Sequence, residues 1–377
     1  MIRRVRQAVL RALLLAVLLS GCSRAPILIG FAGPLSGSSS DLGVQGRNGA
    51  TLAIEKINAE GGVHGRPLEL IPRDDGNDPD TALSLNEAFR QEGVVAIIGH
   101  MTSAPSVAVA TLRERGGVPY ISPTASAPSL SRRDDYFFRL QGASDRPARV
   151  LGAYLVDHVP GARVAVLLDS GNLAYSEPYE NSFSDGIGEN GVIVYRQFLD
   201  IAAIADWTAV LDDLSTLNPE AVLIVASAVD TARFAQALRN AGLDWELLGS
   251  GWAATGTIST HGGRAIDGML VARSVFDLME SEAGQIFRDR YFQRFGREPS
   301  FAAAQAYNSV HLLVAALDET NGRVQGLRDT LRTIGEFNTL AGPTTIDAYG
   351  DVETVAVVLR YESDTFVPVY HWDPENE

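Results

Sequence analysis

The chain holds one cysteine in 377 residues, Cys22, so no disulfide can form within a single copy. It also holds one lysine, Lys56, and its 31 basic residues are outnumbered by 46 acidic ones, giving a formal net charge of −15. Such a surface repels a polyanion, which excludes nucleic acid as a natural partner. The six histidines, His64, His100, His158, His261, His311 and His371, are too dispersed to suggest a metal set. No HExxH, GxSxG or Walker loop occurs, and no cofactor is implied. One GxGxxG match, Gly186 to Gly191, falls after a helix and before a strand. That is the reverse of the dinucleotide-binding order and reads as a helix C-cap turn.

The apolar run at the N-terminus, Ala12 to Leu19, is too short to span a bilayer as a stable helix. It follows Arg3, Arg4, Arg6 and Arg11, which is the pattern of a secretory signal. The run ends in Leu19-Ser20-Gly21-Cys22, which resembles a bacterial lipobox. The resemblance implies that residues 1–21 are removed and that Cys22 is lipidated, leaving the mature chain outside the cytoplasm and anchored to a membrane. Removal takes away four arginines and no acid, so the mature net charge is −19.

Against these absences stands a hydrophobic fraction of 46% in a chain too long for one ordinary core, which predicts two globular domains. The most informative stretch runs from Val94 to Leu130. Val94–Ile98 and Val118–Ile121 are continuous apolar runs that read as buried parallel strands. The first breaks at Gly99 into a small, hydroxyl-rich loop, the second into Ser122, Thr124 and Ser126. Between them, Ser103 to Arg115 has the length and spacing of a crossover helix. Ligands of open α/β sheets bind beyond the carboxyl ends of the strands, where both loops fall, so the pattern predicts a small polar ligand held by hydroxyl and backbone N–H groups.

The rest of the chain repeats the unit. Strands are predicted at Ile27–Phe31 and Leu68–Pro72, with a helix between them that carries Ala50, Ala53, Ile54 and Ile57 and stops at Gly61-Gly62. Asp78 before Pro79 makes an N-cap and first-turn pair for a helix through Arg90. Tyr136–Leu140 reads as a strand, and Asp145 caps a helix through His158. A second series has strands at Arg163–Leu168, Val192–Phe198, Ala221–Val225 and Glu246–Gly249, with helices at Tyr175–Glu189, Ala205–Leu217 and Thr231–Ala241. Then come a strand at Met269–Val271, helices near 281–296, 301–319 and 323–333, and strands at Thr344–Ile346 and Thr354–Tyr361. The late helices have too few strands for a third domain and are expected to pack back on the first.

Read together, GPLSG at 33–37, AIEKINAEGGVHGRPLEL at 53–70, Asp74-Asp75 before Asp78-Pro79, IIGHMTSAPS at 97–106 and ISPTASAP at 121–128 are similar to the type I periplasmic substrate-binding proteins of the leucine/isoleucine/valine-binding class. Asp169 with Tyr175, the Ala241-Gly242-Leu243 turn and Ala306-Tyr307-Asn308 add weaker matches. The resemblance implies an α/β fold of two similar lobes, each a mainly parallel sheet flanked by helices, joined by three hinge crossings. Placed on this sequence, the crossings fall near Leu140–Gly142, Val271–Arg273 and Ala341–Pro343. Lobe 1 is then 26–140 plus 273–341, and lobe 2 is 141–272 plus 342–377.

The same resemblance implies a non-enzymatic role: capture of a small ligand, an amino acid or a related carboxylate or amide, and delivery to the permease of an ABC importer. It places Ser103 at the key serine for the ligand's α-carboxylate, Thr124 at a backbone contact, Ser126 at a second hydroxyl and Tyr175 at an aromatic that closes over the ligand. Ser227, Asp230 and Trp252 follow further strand ends and join the candidate set. Taken alone, Ser103 could be a helix cap, Thr124 and Ser126 turn residues, and Asp230 an N-cap. Two positions depart from the branched-chain pattern: Leu42 stands where an aromatic is expected, and Gly251 where a carboxylate would meet the ligand's amine. Either Asp230 substitutes, or the ligand is not a standard amino acid. A sensing or regulatory lipoprotein of the same fold, without transport, is the alternative function. A hydrolase is a third, with no nucleophile–base pattern to support it.

Overall fold

The computed structural model describes residues 25–112, 117–274 and 281–372. The signal segment, Cys22 and the expected helix end at Arg115 lie outside the described residues.

The first lobe opens with β1 (Ile27–Gly33), α1 (Ser40–Ala59), β2 (Leu68–Asp74), α2 (Pro79–Glu92), β3 (Ala96–Ile98), α3 (Ser103–Ala110), β4 (Tyr120–Ser122) and β5 (Phe137–Arg139). Its five strands are all parallel, in the order β2-β1-β3-β4-β5. The predicted cap at Asp78 forms: its carboxylate accepts from the Thr81 N–H at 2.7 Å, and Pro79 opens the helix.

The chain then builds the second lobe: α4 (Asp145–His158), β6 (Ala162–Asp169), α5 (Leu173–Ile187), β7 (Gly191–Leu199), α6 (Thr208–Leu217), β8 (Ala221–Val225), α7 (Ala228–Asn240), β9 (Glu246–Ser250), α8 (Gly256–Gly262) and β10 (Leu270–Ser274). The strand order β7-β6-β8-β9-β10 repeats the topology of the first sheet, which makes the lobes similar. Asp145 is the first helical residue of α4 and not its cap; that position is Ser144. β6 and β8 are buried along nearly their whole length, as continuous apolar runs require.

Next come α9 (Glu282–Phe295), α10 (Phe301–Glu319) and α11 (Leu327–Thr333), with α10 lying along α1 in the first lobe. This is the expected packing back, and glycine makes it possible. A Cβ on Gly49 of α1 would lie 1.9 Å from the Ala303 carbonyl oxygen of α10.

Two crossings differ from expectation. Val271–Arg273 lies inside β10, which continues to Ser274 in the second sheet. Ala341–Pro343 belongs to a hairpin of β11 (Glu336–Thr339) and β12 (Gly342–Thr345), turning through Leu340-Ala341. The chain then stays with the first lobe: Arg139 N–H donates to the Gly350 carbonyl at 2.9 Å, and the buried Arg139 guanidinium pairs with Asp351 at 2.7 Å. Only with Thr354, bonded to Ser274 at 2.8 Å, does it return to the second sheet. There β13 (Ala356–Glu362) runs antiparallel to β10, and β14 (Thr365–His371) forms the edge. β12 overlaps the strand predicted at Thr344–Ile346, whereas β11 and β14 are not predicted, because short half-exposed strands carry little periodicity.

Candidate ligand-binding cleft

In each sheet the strand order reverses, between β1 and β3 in the first and between β6 and β8 in the second, and loops leaving such a point in opposite directions open a crevice. The two crevices face each other across a cavity of about 50 Å³. Of the seven residues proposed to touch ligand, five border this cavity: Ser103, Thr124 and Ser126 from the first lobe, Tyr175 and Trp252 from the second. Ser227 and Asp230 do not. Leu42 and Gly251, the two departures, do.

The first wall is a stitched pair of loops. Ser103 Oγ accepts from the backbone N–H groups of Ser126 and Ala127 at 3.3 and 3.1 Å, tying the β3 loop to the β4 loop. The Thr124 hydroxyl donates to the Met101 carbonyl, and Ser122 donates to the His100 carbonyl at 2.6 Å. Met101 fills a slot over two glycines, since a Cβ on Gly33 or Gly46 would lie 2.5 or 2.4 Å from its side chain. Beneath the loops, His100 Nδ1 lies 2.6 Å from Asp75 Oδ2, with both side chains buried. His100 therefore supports the loop backbone and does not border the cavity. A wall braced this way presents its hydroxyl and N–H groups in one fixed arrangement.

The second wall is aromatic. Tyr175 packs edge-on to Trp252 with ring centroids 5.8 Å apart and lies 5.5 Å from Tyr179. Burial pushes the Tyr175 phenol up to about 12, so it stays a neutral donor. Between the walls stands Asn172, whose Oδ1 accepts from the Ala104 N–H at the start of α3 at 2.9 Å, while Asn77 Nδ2 donates to the Gly171 carbonyl at 3.3 Å. These bonds join the lobes directly. Asp169, at the end of β6, is held up to about 6, chiefly by burial and then by the nearby charges of Asp230 and Asp200, against a lowering bond from the Gly171 N–H.

Ser227 and Asp230 serve the helix they precede. Ser227, not Asp230, is the N-cap of α7: its Oγ accepts from the Asp230 N–H at 3.2 Å and donates to the Asp230 carboxylate at 2.8 Å. Asp230 also pairs with Arg233 at 3.3 Å, so its charge is matched within its own helix. The sequence placed the cap three positions too late, because Asp is as acceptable a cap as Ser. At Gly251, a Cβ would lie 3.0 Å from the Cβ of Arg273, which borders the cavity. The missing side chain leaves the space that the Arg273 stem uses.

Sequence reasoning missed Thr102, Ser144, Asn172, Tyr179, Arg273 and Phe301, all of which border the cavity. Thr102 and Ser144 were legible as hydroxyl residues just before predicted helices. Arg273 and Phe301 come from distant parts of the chain, and no local signal places them.

A family model described as periplasmic binding protein matches residues 26–365. The chain is 25% identical over 362 residues to Leu/Ile/Val-binding protein homolog 1 of Brucella abortus, covering 92% of this chain and 93% of that one. Its structure is similar to a leucine-binding protein of Thermotoga maritima, with a TM-score of 0.81 at 22% identity, covering 93% of this chain and all of the other. It is equally similar, at a TM-score of 0.81 and 21% identity, to an ABC-transporter solute-binding protein of R. palustris in complex with benzoate, covering 92% and 96%.

Proposed function

We propose, from the premise that the chain belongs to the periplasmic binding protein family, that it is the extracytoplasmic ligand-capturing component of an ABC importer and not an enzyme. The two lobes close on a small polar ligand, an amino acid or a related carboxylate or amide, and present it to a membrane permease. One observation supports this above the others: a cavity bordered by the strand-end loops of both sheets, with hydroxyls on one wall and aromatics on the other. The division of labour is clear in physical terms. The braced first wall supplies fixed hydrogen-bond donors to an anionic or polar group, and the aromatic second wall covers the remainder and excludes water. Contacts made only on closure set the affinity, because a ligand shifts the open–closed balance by its differential binding to the two states.

Ligand binding should compact the protein and raise its melting temperature. A ligand at one hundred times its dissociation constant adds about 2.7 kcal/mol of stability. Ser103→Ala should weaken that response, since the loss frees two buried backbone N–H groups and loosens the wall. A screen of small amino acids, carboxylates and amides by thermal shift, followed by solution scattering with each stabilising compound, tests both points. Stabilisation without any change in radius of gyration would refute capture by closure, and an undiminished response in Ser103→Ala would refute the assignment of the wall.

A further inference from the structure

The cavity has an unusual balance of hydrogen-bonding groups. Thr102, Ser144 and Tyr179 border it, are 3%, 5% and 1% exposed, and carry side-chain oxygens with no hydrogen-bond partner among the described residues. A buried hydroxyl without a partner is costly, and three bordering one cavity point to a ligand that completes them.

Local sequence explains why two of them are available. Thr102 is the N-cap of α3 and Ser144 the N-cap of α4, yet neither side chain caps its helix. A cap hydroxyl takes its bond from the second or third helical N–H. In both helices the third residue is a proline, Pro105 and Pro147, which has no N–H to give. In α3 the second N–H, that of Ala104, is already taken by Asn172. The Thr102 hydroxyl is therefore released from its usual duty, and Ser144, whose φ of −81° and ψ of −9° are helical rather than extended, makes no cap bond; both sit at the mouth of a helix whose N-terminal end favours negative charge. The residues Thr102 and Ser103 of one helix start, and Ser144 and Pro147 of the other, border the same cavity.

Asn172 adds a donor. Because the Ala104 N–H must meet an oxygen, the amide orientation is fixed, and its NH2 group points away from α3 on a residue that itself borders the cavity. Among the described residues the one charged side chain in the lining is Arg273, a cation, and no carboxylate borders the cavity. Asp145 and Asp169, close in sequence to lining residues, are not part of it. An α-ammonium placed here would lose its water without meeting an anion.

Resting on the reading of this cleft as the ligand site, we propose that its ligand is a small carboxylate without an ammonium group, bound between the starts of α3 and α4 and held by the hydroxyls of Thr102 and Ser144, the phenol of Tyr179 and the amide of Asn172. The first wall is braced as a carboxylate site requires, and among the described residues no anionic partner for an amine borders the cavity. Matched pairs decide it: propanoate against alanine, 3-methylbutanoate against valine, 4-methylpentanoate against leucine, and 3-phenylpropanoate against phenylalanine, each titrated calorimetrically into the protein. The amine-free member of the best pair should bind about tenfold to a hundredfold tighter, the worth of one charge-assisted hydrogen bond. Thr102→Val and Ser144→Ala should each weaken it by about tenfold or more. Asn172→Asp keeps an oxygen for the Ala104 N–H but places a negative charge beside the ligand, so it should weaken the carboxylate further and narrow or reverse the preference over the amino acid. Circular dichroism and the unliganded melting temperature of each variant separate lost binding from lost folding.

Tighter binding of the amino acids, binding of neither series, or carboxylate affinity unchanged in all three variants would overturn the inference. An amino acid or neutral solute that compacts the protein in a Ser103-dependent way would then leave the capture function standing. The absence of any Ser103-dependent ligand would overturn both.

Discussion

At the scale of single residues, two titratable groups, buried Asp169 and half-buried His311, act in opposite directions over the same pH range. Asp169 is raised from 3.8 to about 6, so its native form holds a proton that the unfolded form releases. Its contribution to stability is fully present below about 4 and is lost as the pH rises through about 6. His311 is lowered from 6.5 to about 4, by burial first and by the Lys56 charge second. Its contribution is present above about 6.5 and is lost as acid protonates the unfolded chain first. Asp169→Asn keeps an oxygen for the Gly171 N–H and removes the buried charge. The variant should be more stable than the parent above pH 6, by up to about 3 kcal/mol. That gain should vanish near pH 4, leaving a steeper acid loss governed by His311. Urea midpoints from pH 4 to 8 measure this, and a gain independent of pH would rule out the titration account.

At the scale of elements, the closest approaches are made by glycine. The α1–α10 contact that ties the late helices to the first lobe depends on Gly49, where any side chain meets the Ala303 backbone. Gly152 of α4 and Gly186 of α5 make the corresponding contact in the second lobe, with added Cβ atoms 2.2 and 2.0 Å from the carbonyl oxygens of Phe183 and Arg149. Backbone cannot yield as a flexible side chain can, so Gly49→Ala forces the helices apart. It should lower stability by about 1–3 kcal/mol, although alanine is the better helix former by about 1 kcal/mol. Chemical denaturation reads the outcome directly; a neutral or stabilising result would mean that α10 can shift along α1 without loss.

At the scale of the whole molecule, two copies of one topology face each other, and the turn at 170–172 bridges them through Asn172 and Gly171. The cavity exists only because both lobes border it, so ligand capture and lobe closure are one event in the proposed function. The proposed anchor at Cys22 lies five positions before β1 in the sequence. Cys22→Ser should move the protein from the membrane fraction to the soluble extracytoplasmic fraction while leaving the fold and ligand binding intact. Retention in the membrane would show that Cys22 is not the point of attachment.

What the sequence determined alone is local and periodic: the buried parallel strands, the helices between them, the cap at Asp78, and the two hydroxyl loops at the ends of β3 and β4. Those features follow from apolar spacing and from side chains that act within a few residues of themselves. That the two lobes are similar came from the family resemblance and not from periodicity, and the order of strands within each sheet came only from the tertiary structure. The start of α7 lay between: Asp230 was legible as a candidate cap, but the cap that forms is Ser227, three positions earlier. Tertiary structure alone decided which strand ends face one another. It brought Asn172 to the start of α3 from 68 positions away and Arg273 beside Gly251, and it left the hydroxyls of Thr102 and Ser144 without their usual partners. In the proposed function the character of the ligand depends on these contacts, because the groups that border the cavity are contributed by elements that meet only when both lobes have folded.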